Sequence, residues 1–349
     1  MKRIAKVLTI TALLVSLSAC RLFLGPDPEN SPRGIFDSIW NDFDASYALF
    51  DVKGIDWKSV YHNYAEEISP GMGGRELFRV CSGMLEELND AHVNLSSPFG
   101  LFNSGRRLDL MNMEPFSLEL VKTGYLEDGY STAGEGMFTY GTFKTKPSAG
   151  YIYISGFAKG ENMGGSQDWI QAVNGVVKSL SETDSLVLDI RGNRGGLVAN
   201  VEYISRRFAA EKKDYAQVRT KNGPDRNDFS SPVVFAIKPE GTVYAKPIVL
   251  LTNAQTISAG EWFTLALRSQ DHVTQAGSVT CGAFSLSLER FLVNGWTYTV
   301  SVQKVTDMGG TCYEGSGLSP GAEHLVKNTG ANIEAGIDDQ LEYALSLLP

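Results

Sequence analysis

The chain has 349 residues, 43% of them hydrophobic and 20% charged, and a formal net charge of −9. That length suffices for a large core or two subdomains, while the acidic balance argues against nucleic-acid binding, which needs clustered Lys and Arg. Four Cys without a CxxC pair, and only four His, argue against a thiolate-zinc or multi-histidine metal site.

Residues 1–19 read as a secretory leader: Lys2, Arg3 and Lys6 precede an apolar run from Val7 to Leu17. Leu17-Ser18-Ala19-Cys20 has the form of a lipobox, with Cys20 as the expected lipidation site. The apolar run is too short for a membrane-spanning helix of roughly 20 residues. The expected setting is the cell envelope, with the body lipid-anchored at the periplasmic face or outer membrane. Residues 20–33, with three prolines, read as a tether.

An N-terminal helical subdomain is expected over 34–95. Ile35, Ile39, Phe43 and Tyr47 recur at helical spacing. A second helix is expected after the N-cap Asp56, and a third over Glu76–Leu88. His92-Val93-Asn94-Leu95 then alternates like a short strand. Residues 96–150 read as a β-rich connector, with strand candidates at Phe116–Val121 and Met137–Phe143. The remainder, 151–349, reads as an α/β core. Its strands are Tyr151–Ile154, Ser185–Ile190 and Ile248–Leu251, the last two as apolar as strands buried on both faces must be. Helices are expected at Met163–Leu180, Val198–Phe208, Ser258–Ser269 and Ile333–Leu348, a polar β-rich insertion at 211–246, and several strands from Val273 to Val305. A mixed-sheet core with chemistry at strand ends follows. An extracytoplasmic setting would permit a bridge between Cys281 and Cys312, whereas Cys81 falls on a core-facing helical position.

Two strand-to-loop junctions carry the chemistry. Asp189-Ile190-Arg191-Gly192-Asn193-Arg194-Gly195-Gly196 follows a buried strand, and its glycines let backbone N–H groups face a cleft. It lacks the spacing of a dinucleotide or P-loop motif, and a tight turn that merely connects strand to helix is the alternative. In Thr252-Asn253-Ala254-Gln255-Thr256-Ile257-Ser258-Ala259-Gly260-Glu261, Ser258 opens a helix whose Ala259 N–H is placed for an oxyanion. On this segment alone, a plain N-cap serine with Glu261 completing a capping box is an equal reading.

Taken together, LVLDIRGNRGG, VLLTNAQTISAGEWFTLAL, the following Gly277–Gly282 stretch and Leu88-Asn89-Asp90-Ala91-His92 resemble the ordered signature segments of the tail-specific (C-terminal processing) and tricorn-core serine peptidases. The resemblance runs from about residue 35 to the end. It implies a crotonase-like mixed-sheet core, Ser258 as nucleophile, Gly195, Gly196 and Ala259 as oxyanion donors, a protein or peptide substrate, and no metal or organic cofactor. The processing-protease branch pairs its serine with a lysine where this chain has Ala283; the next lysine is Lys304. The tricorn-core branch uses a histidine and a glutamate instead. His92 matches the histidine and Glu314 the glutamate, with Glu261 and Glu323 as rivals. A serine that precedes the histidine in that branch is Ala91 here, so a water or direct contact would have to make its link. About 50 residues separate His92 from Tyr151, short for the PDZ domain many relatives carry. The same scaffold occurs in retinoid carriers, so a non-catalytic ligand- or peptide-binding lipoprotein is the alternative. Oligomeric state is not legible.

Overall fold

The computed structural model describes residues 29–105, 113–127, 129–158 and 167–349. The leader, Cys20 and most of the tether lie outside the described residues, as does the start of the Met163–Leu180 helix.

Four helices open the fold: α1 (Pro32–Ser46), α2 (Phe50–Lys53), α3 (Trp57–Ala65) and α4 (Gly74–Glu86). Ser31 caps α1 by accepting from Gly34 N, and Asp56 caps α3 by accepting from Ser59 N. Ile35, Phe36, Ile39 and Phe43 of α1 are buried with Trp57, Val80 and Met84. That cluster also takes in Trp296, Tyr298 and Val300 from far along the chain, because β1 (Asn94–Ser97) pairs antiparallel with β12 (Thr297–Ser301). The helical subdomain is thus stapled to the C-terminal half by a four-stranded sheet ordered β11 (Ser287–Phe291), β12, β1, β2 (Gly100–Asn103).

The core is a six-stranded mixed sheet ordered β10 (Val273–Gly277), β9 (Ile248–Thr252), β6 (Ser185–Asp189), β5 (Ala149–Ile154), β4 (Phe138–Thr142), β3 (Ser131–Ala133). The four strands β10, β9, β6 and β5 are parallel, and β4 and β3 complete the edge antiparallel. Alternation divides each central strand between two cores. Ile152, Leu186, Leu188, Ile248 and Leu250 face α5 (Ala172–Ser179), α6 (Val198–Ser205) and α7 (Ala259–Arg268), whereas Tyr151, Val187, Val249 and Leu251 face the C-terminal helix. The insertion supplies β7 (Lys213–Thr220) and β8 (Val233–Ile237), which join β13 (Gln303–Thr306) in a separate three-stranded sheet.

Three local readings change. Phe116–Val121 holds no strand: Leu118–Leu120 is a helical turn that runs on through Val121–Tyr125, capped by the Ser117 side chain accepting from Leu120 N. The closing helix is two, α8 (Gly330–Glu334) and α9 (Asp339–Leu347), divided at Gly336, whose φ of +83° suits glycine. No disulfide joins Cys281 and Cys312 among the described residues.

Candidate active site

β9 ends at Thr252, and the chain loops back over the end of β6 before α7 begins. Asn253 Oδ1 accepts from Gly192 N at 3.0 Å and from Gln255 N at 3.1 Å, so one side chain ties the glycine turn to the nucleophile loop. Ile257 N donates to Asn193 O at 3.1 Å as a second tie. Ser258, between these anchors and the first turn of α7, sits at φ +58° and ψ −122°. Such a conformation costs a non-glycine residue about 1–3 kcal/mol and persists only where its surroundings impose it.

Glu261 is much of that imposition. Fully buried, it accepts from Ser258 N (3.2 Å), Thr280 Oγ1 (2.6 Å), Gly282 N (2.6 Å) and Ala283 N (2.8 Å). Burial raises its carboxyl to about 7, against which these four donors work. Glu261 therefore positions Ser258 through the backbone rather than meeting the histidine.

His92 Nε2 lies 3.1 Å from Ser258 Oγ, across 166 residues of sequence. Asp90, two residues earlier, holds it there: Oδ1 accepts from His92 N at 2.8 Å, an Asx-type turn, while Oδ2 accepts from Tyr47 OH at 2.9 Å. Thr299 Oγ1 donates to His92 O at 2.6 Å from β12. Burial lowers the imidazole's pKa, Lys53 adding to the effect and Asp90 opposing it. The ring is therefore biased toward its neutral, proton-accepting form.

Glu314 is buried nearby, with Oε2 accepting from Phe284 N (2.9 Å) and Ser285 N (3.2 Å). Its Oε1 and His92 Nδ1 are both buried without a hydrogen-bond partner, and no bond joins the two groups. Burial, reinforced by the charge of Asp90, raises the Glu314 carboxyl to about 8, with Lys53 opposing. Glu314 and His92 thus share Asp90 and Lys53 as electrostatic neighbours. Of the rivals, Glu323 is a surface residue whose carboxylate is 3.9 Å from His324.

The glycine turn sorts the expected donors. Gly195 N is spent on Asn193 Oδ1 at 2.9 Å, and a Cβ at Gly195 would come within 2.7 Å of Ser258 Cβ, so this glycine serves the close approach of the two loops. Asn193 also donates from Nδ2 to Ile154 O at 3.0 Å, bracing the turn on β5. Gly196, at φ +140°, runs beside Phe157, where a Cβ would lie 2.2 Å from the Phe157 carbonyl carbon. Gly196 N and Ala259 N make no hydrogen bond among the described residues. A cavity of about 410 Å³ opens over Ser258 and His92, walled by Leu197, Val198, Phe235, Trp262 and Phe284. Lys304 faces a different cleft, opposite Arg219 in the β7–β13 ladder, and Ala283 is buried beside Glu261. The sequence reading did not assign roles to Asp90, Asn193 or Asn253. Asp90 lies within the quoted Leu88–His92 segment, and its Asx spacing two residues before His92 is the signal that could have marked its role.

The family model described as peptidase family S41 matches residues 148–324, and the tricorn protease C1 domain matches residues 28–86. The carboxy-terminal processing protease CtpB of Bacillus subtilis is 26% identical over 173 residues, 50% of this chain and 33% of that protein. CtpA of the same organism is 31% identical over 134 residues, 38% of this chain and 27% of that one, so the chain spans about a third or less of the length of these relatives. Among solved structures, a candidate peptidase from Parabacteroides merdae superimposes with a TM-score of 0.80 at 29% identity, covering 91% of this chain and 97% of its own. Mature CPAF complexed with lactacystin shares the fold, with a TM-score of 0.67 at 12% identity over 91% of this chain and 97% of its own.

Proposed function

The chain belongs to peptidase family S41, and from that premise we propose that it hydrolyses peptide bonds of extracytoplasmic proteins or peptides through an acyl-enzyme on Ser258. The observation that carries this reading is the 3.1 Å approach of His92 Nε2 to the oxygen of a serine held in a strained conformation at a helix start. A serine hydroxyl becomes an effective nucleophile only when a base takes its proton, and the arrangement is recognised by geometry rather than by sequence order.

In this mechanism Ser258 Oγ attacks the substrate carbonyl carbon as its proton passes to His92 Nε2. The carbonyl π electrons move to oxygen, and Gly196 N–H and Ala259 N–H receive that charge. Collapse of the tetrahedral intermediate breaks the C–N bond, the imidazolium returns its proton to the departing amine, and water repeats the sequence to free Ser258. Glu314, as a carboxylate, steadies the imidazolium across the gap that Ala91 leaves without a hydroxyl. The apolar walls of the cavity favour an apolar side chain beside the scissile bond. Lipid attachment at Cys20 belongs to the same proposal.

The test is turnover of an unfolded protein together with covalent labelling by a fluorophosphonate. Wild-type protein should turn over and label at Ser258. Ser258→Ala should lose both while melting like the wild type, and His92→Ala should be nearly as inactive, because members of such a unit act together. Lys304→Ala should retain the wild-type rate. Full activity in Ser258→Ala overturns the serine mechanism, loss confined to Lys304→Ala overturns His92 as base, and an unreactive folded wild type favours a binding protein.

A further inference from the structure

Lys53 ends α2, a four-residue helix of the N-terminal subdomain that Gly54 closes at φ +65°. Its side chain reaches the turn that leads to His92. Nζ donates to Asn89 O at 3.0 Å, and Asn89 is itself at φ +42°, the left-handed residue that starts the Asp90-Ala91-His92 turn. Nζ also lies 3.9 Å from where a Cβ on Gly315 would sit, immediately beside Glu314. One ammonium therefore touches the segment that carries the histidine and borders the segment that carries the acid. Besides Lys53, the charged groups felt by Glu314 are the carboxylates Asp90 and Glu261; Tyr47 and Cys312 lie within reach of it, Cys312 also feeling Lys304, and His92 shares Asp90 and Lys53 as neighbours.

We propose that Lys53 is a positioning residue for the reaction, supplying from the helical subdomain the counter-charge that lets Glu314 act as an anion beside His92. Two buried carboxylates within electrostatic reach of each other cannot both ionise cheaply, and a nearby cation favours the charged pair. The same charge disfavours imidazolium in the resting site, keeping His92 neutral until it takes the serine proton. The lysine thus acts on the acid and on the resting base, not on Ser258. This proposal rests on the peptidase reading for its kinetic arm alone.

The experiment compares Lys53→Met, which keeps the stem without the charge, with Lys53→Arg, each with and without Glu314→Gln. In the kinetic arm, kcat and KM are measured from pH 6 to 10 on an unfolded protein substrate. Lys53→Met should move the rising limb of kcat upward by about one pH unit, lowering kcat at pH 7 about tenfold with KM unchanged and the rates converging at high pH. Lys53→Arg should restore the wild-type limb. In the second arm, melting temperature is followed over the same range. Lys53→Met should fall progressively below wild type above about pH 8, where Glu314 would ionise in the wild type, and the divergence should vanish on the Glu314→Gln background. A limb that stays in place in Lys53→Met, or melting curves offset equally at every pH and in both backgrounds, overturns the proposal. A wild type without turnover fails the peptidase reading instead, and the melting arm still decides the lysine's role.

Discussion

The surroundings of Glu314 oppose its charged form. With its carboxyl at about 8 in the folded protein against 4.5 for an ordinary glutamate, the native state holds a proton that the unfolded chain has released between those values. The unfolded state then binds fewer protons, so this group's contribution to stability is full below about pH 4.5 and is lost as pH rises toward 8. Glu314→Gln removes that loss. Its melting temperature should match wild type near pH 5 and exceed it by a few degrees above pH 8, while its peptidase rate falls between those of wild type and His92→Ala. The wild-type kcat/KM should rise with pH through about 8, since free-enzyme ionisations set that profile. A Glu314→Gln variant that is less stable than wild type at alkaline pH would contradict this account. The segments carrying Ser258, His92 and Glu314 could be picked out in the sequence because each has recognisable neighbours, whereas the roles proposed for these residues wait on the variants above. The parts played by Asp90 and Asn193 were not legible, since a short polar residue beside a glycine or histidine reads as an ordinary turn until its partners, Tyr47 and Ile154 O, are in place.

Among the elements, most strands of the core sheet, though not the short edge strand β3, and most of the helices could be read from periodicity, because burial on one or both faces imposes it. Within the connector, the strand read at Met137–Phe143 is β4, but the helical turn at Leu118–Leu120 escaped, since it depends on one serine cap rather than on a pattern. The role of α9 was also hidden. Asp338 caps that helix by accepting from Leu341 N at 3.0 Å, and the same Oδ1 accepts from Arg191 NH1 at 2.7 Å. Arg191 is fully buried, bonded as well to Asp189 and lying 4.4 Å over the Phe116 ring, at the first residue before the glycine turn. The C-terminal helix is thereby fastened to the loop beside the nucleophile. Burial alone would raise the Asp338 carboxyl, but Arg191 holds it below the usual range, so its contribution is present at neutral pH and lost on acidification through that lowered value. Asp338→Ala should cost about 3–5 kcal/mol, the range for breaking a buried pair, whereas Asp338→Asn, which keeps the cap, should cost less. Denaturant unfolding at pH 7 measures both; equal costs would mean that the ion pair alone matters, and an Asp338→Asn variant as stable as wild type that the cap alone does.

For the molecule as a whole, the sequence showed an α/β core with a helical region before it but not how the two are joined. The staple, β1 on β12, brings together Leu95 and Tyr298, a pairing that local pattern cannot reveal. No helix among the described residues is long and apolar enough to cross a membrane, and the lipid attachment proposed at Cys20 is tested separately. Cys20→Ser should move the protein from the membrane to the soluble fraction; a variant that still sediments with membranes and carries an N-terminal acyl group would refute the lipobox. The same long-range staple bears on biogenesis. A ribosome or export channel delivers His92 well before Ser258, and Ser258 before Glu314 and Asp338. A partly delivered chain therefore holds the nucleophile but lacks the acid and the fastening of the glycine turn. In the proposed peptidase reading, delivery order would leave the catalytic site incomplete until the C-terminal segment arrives.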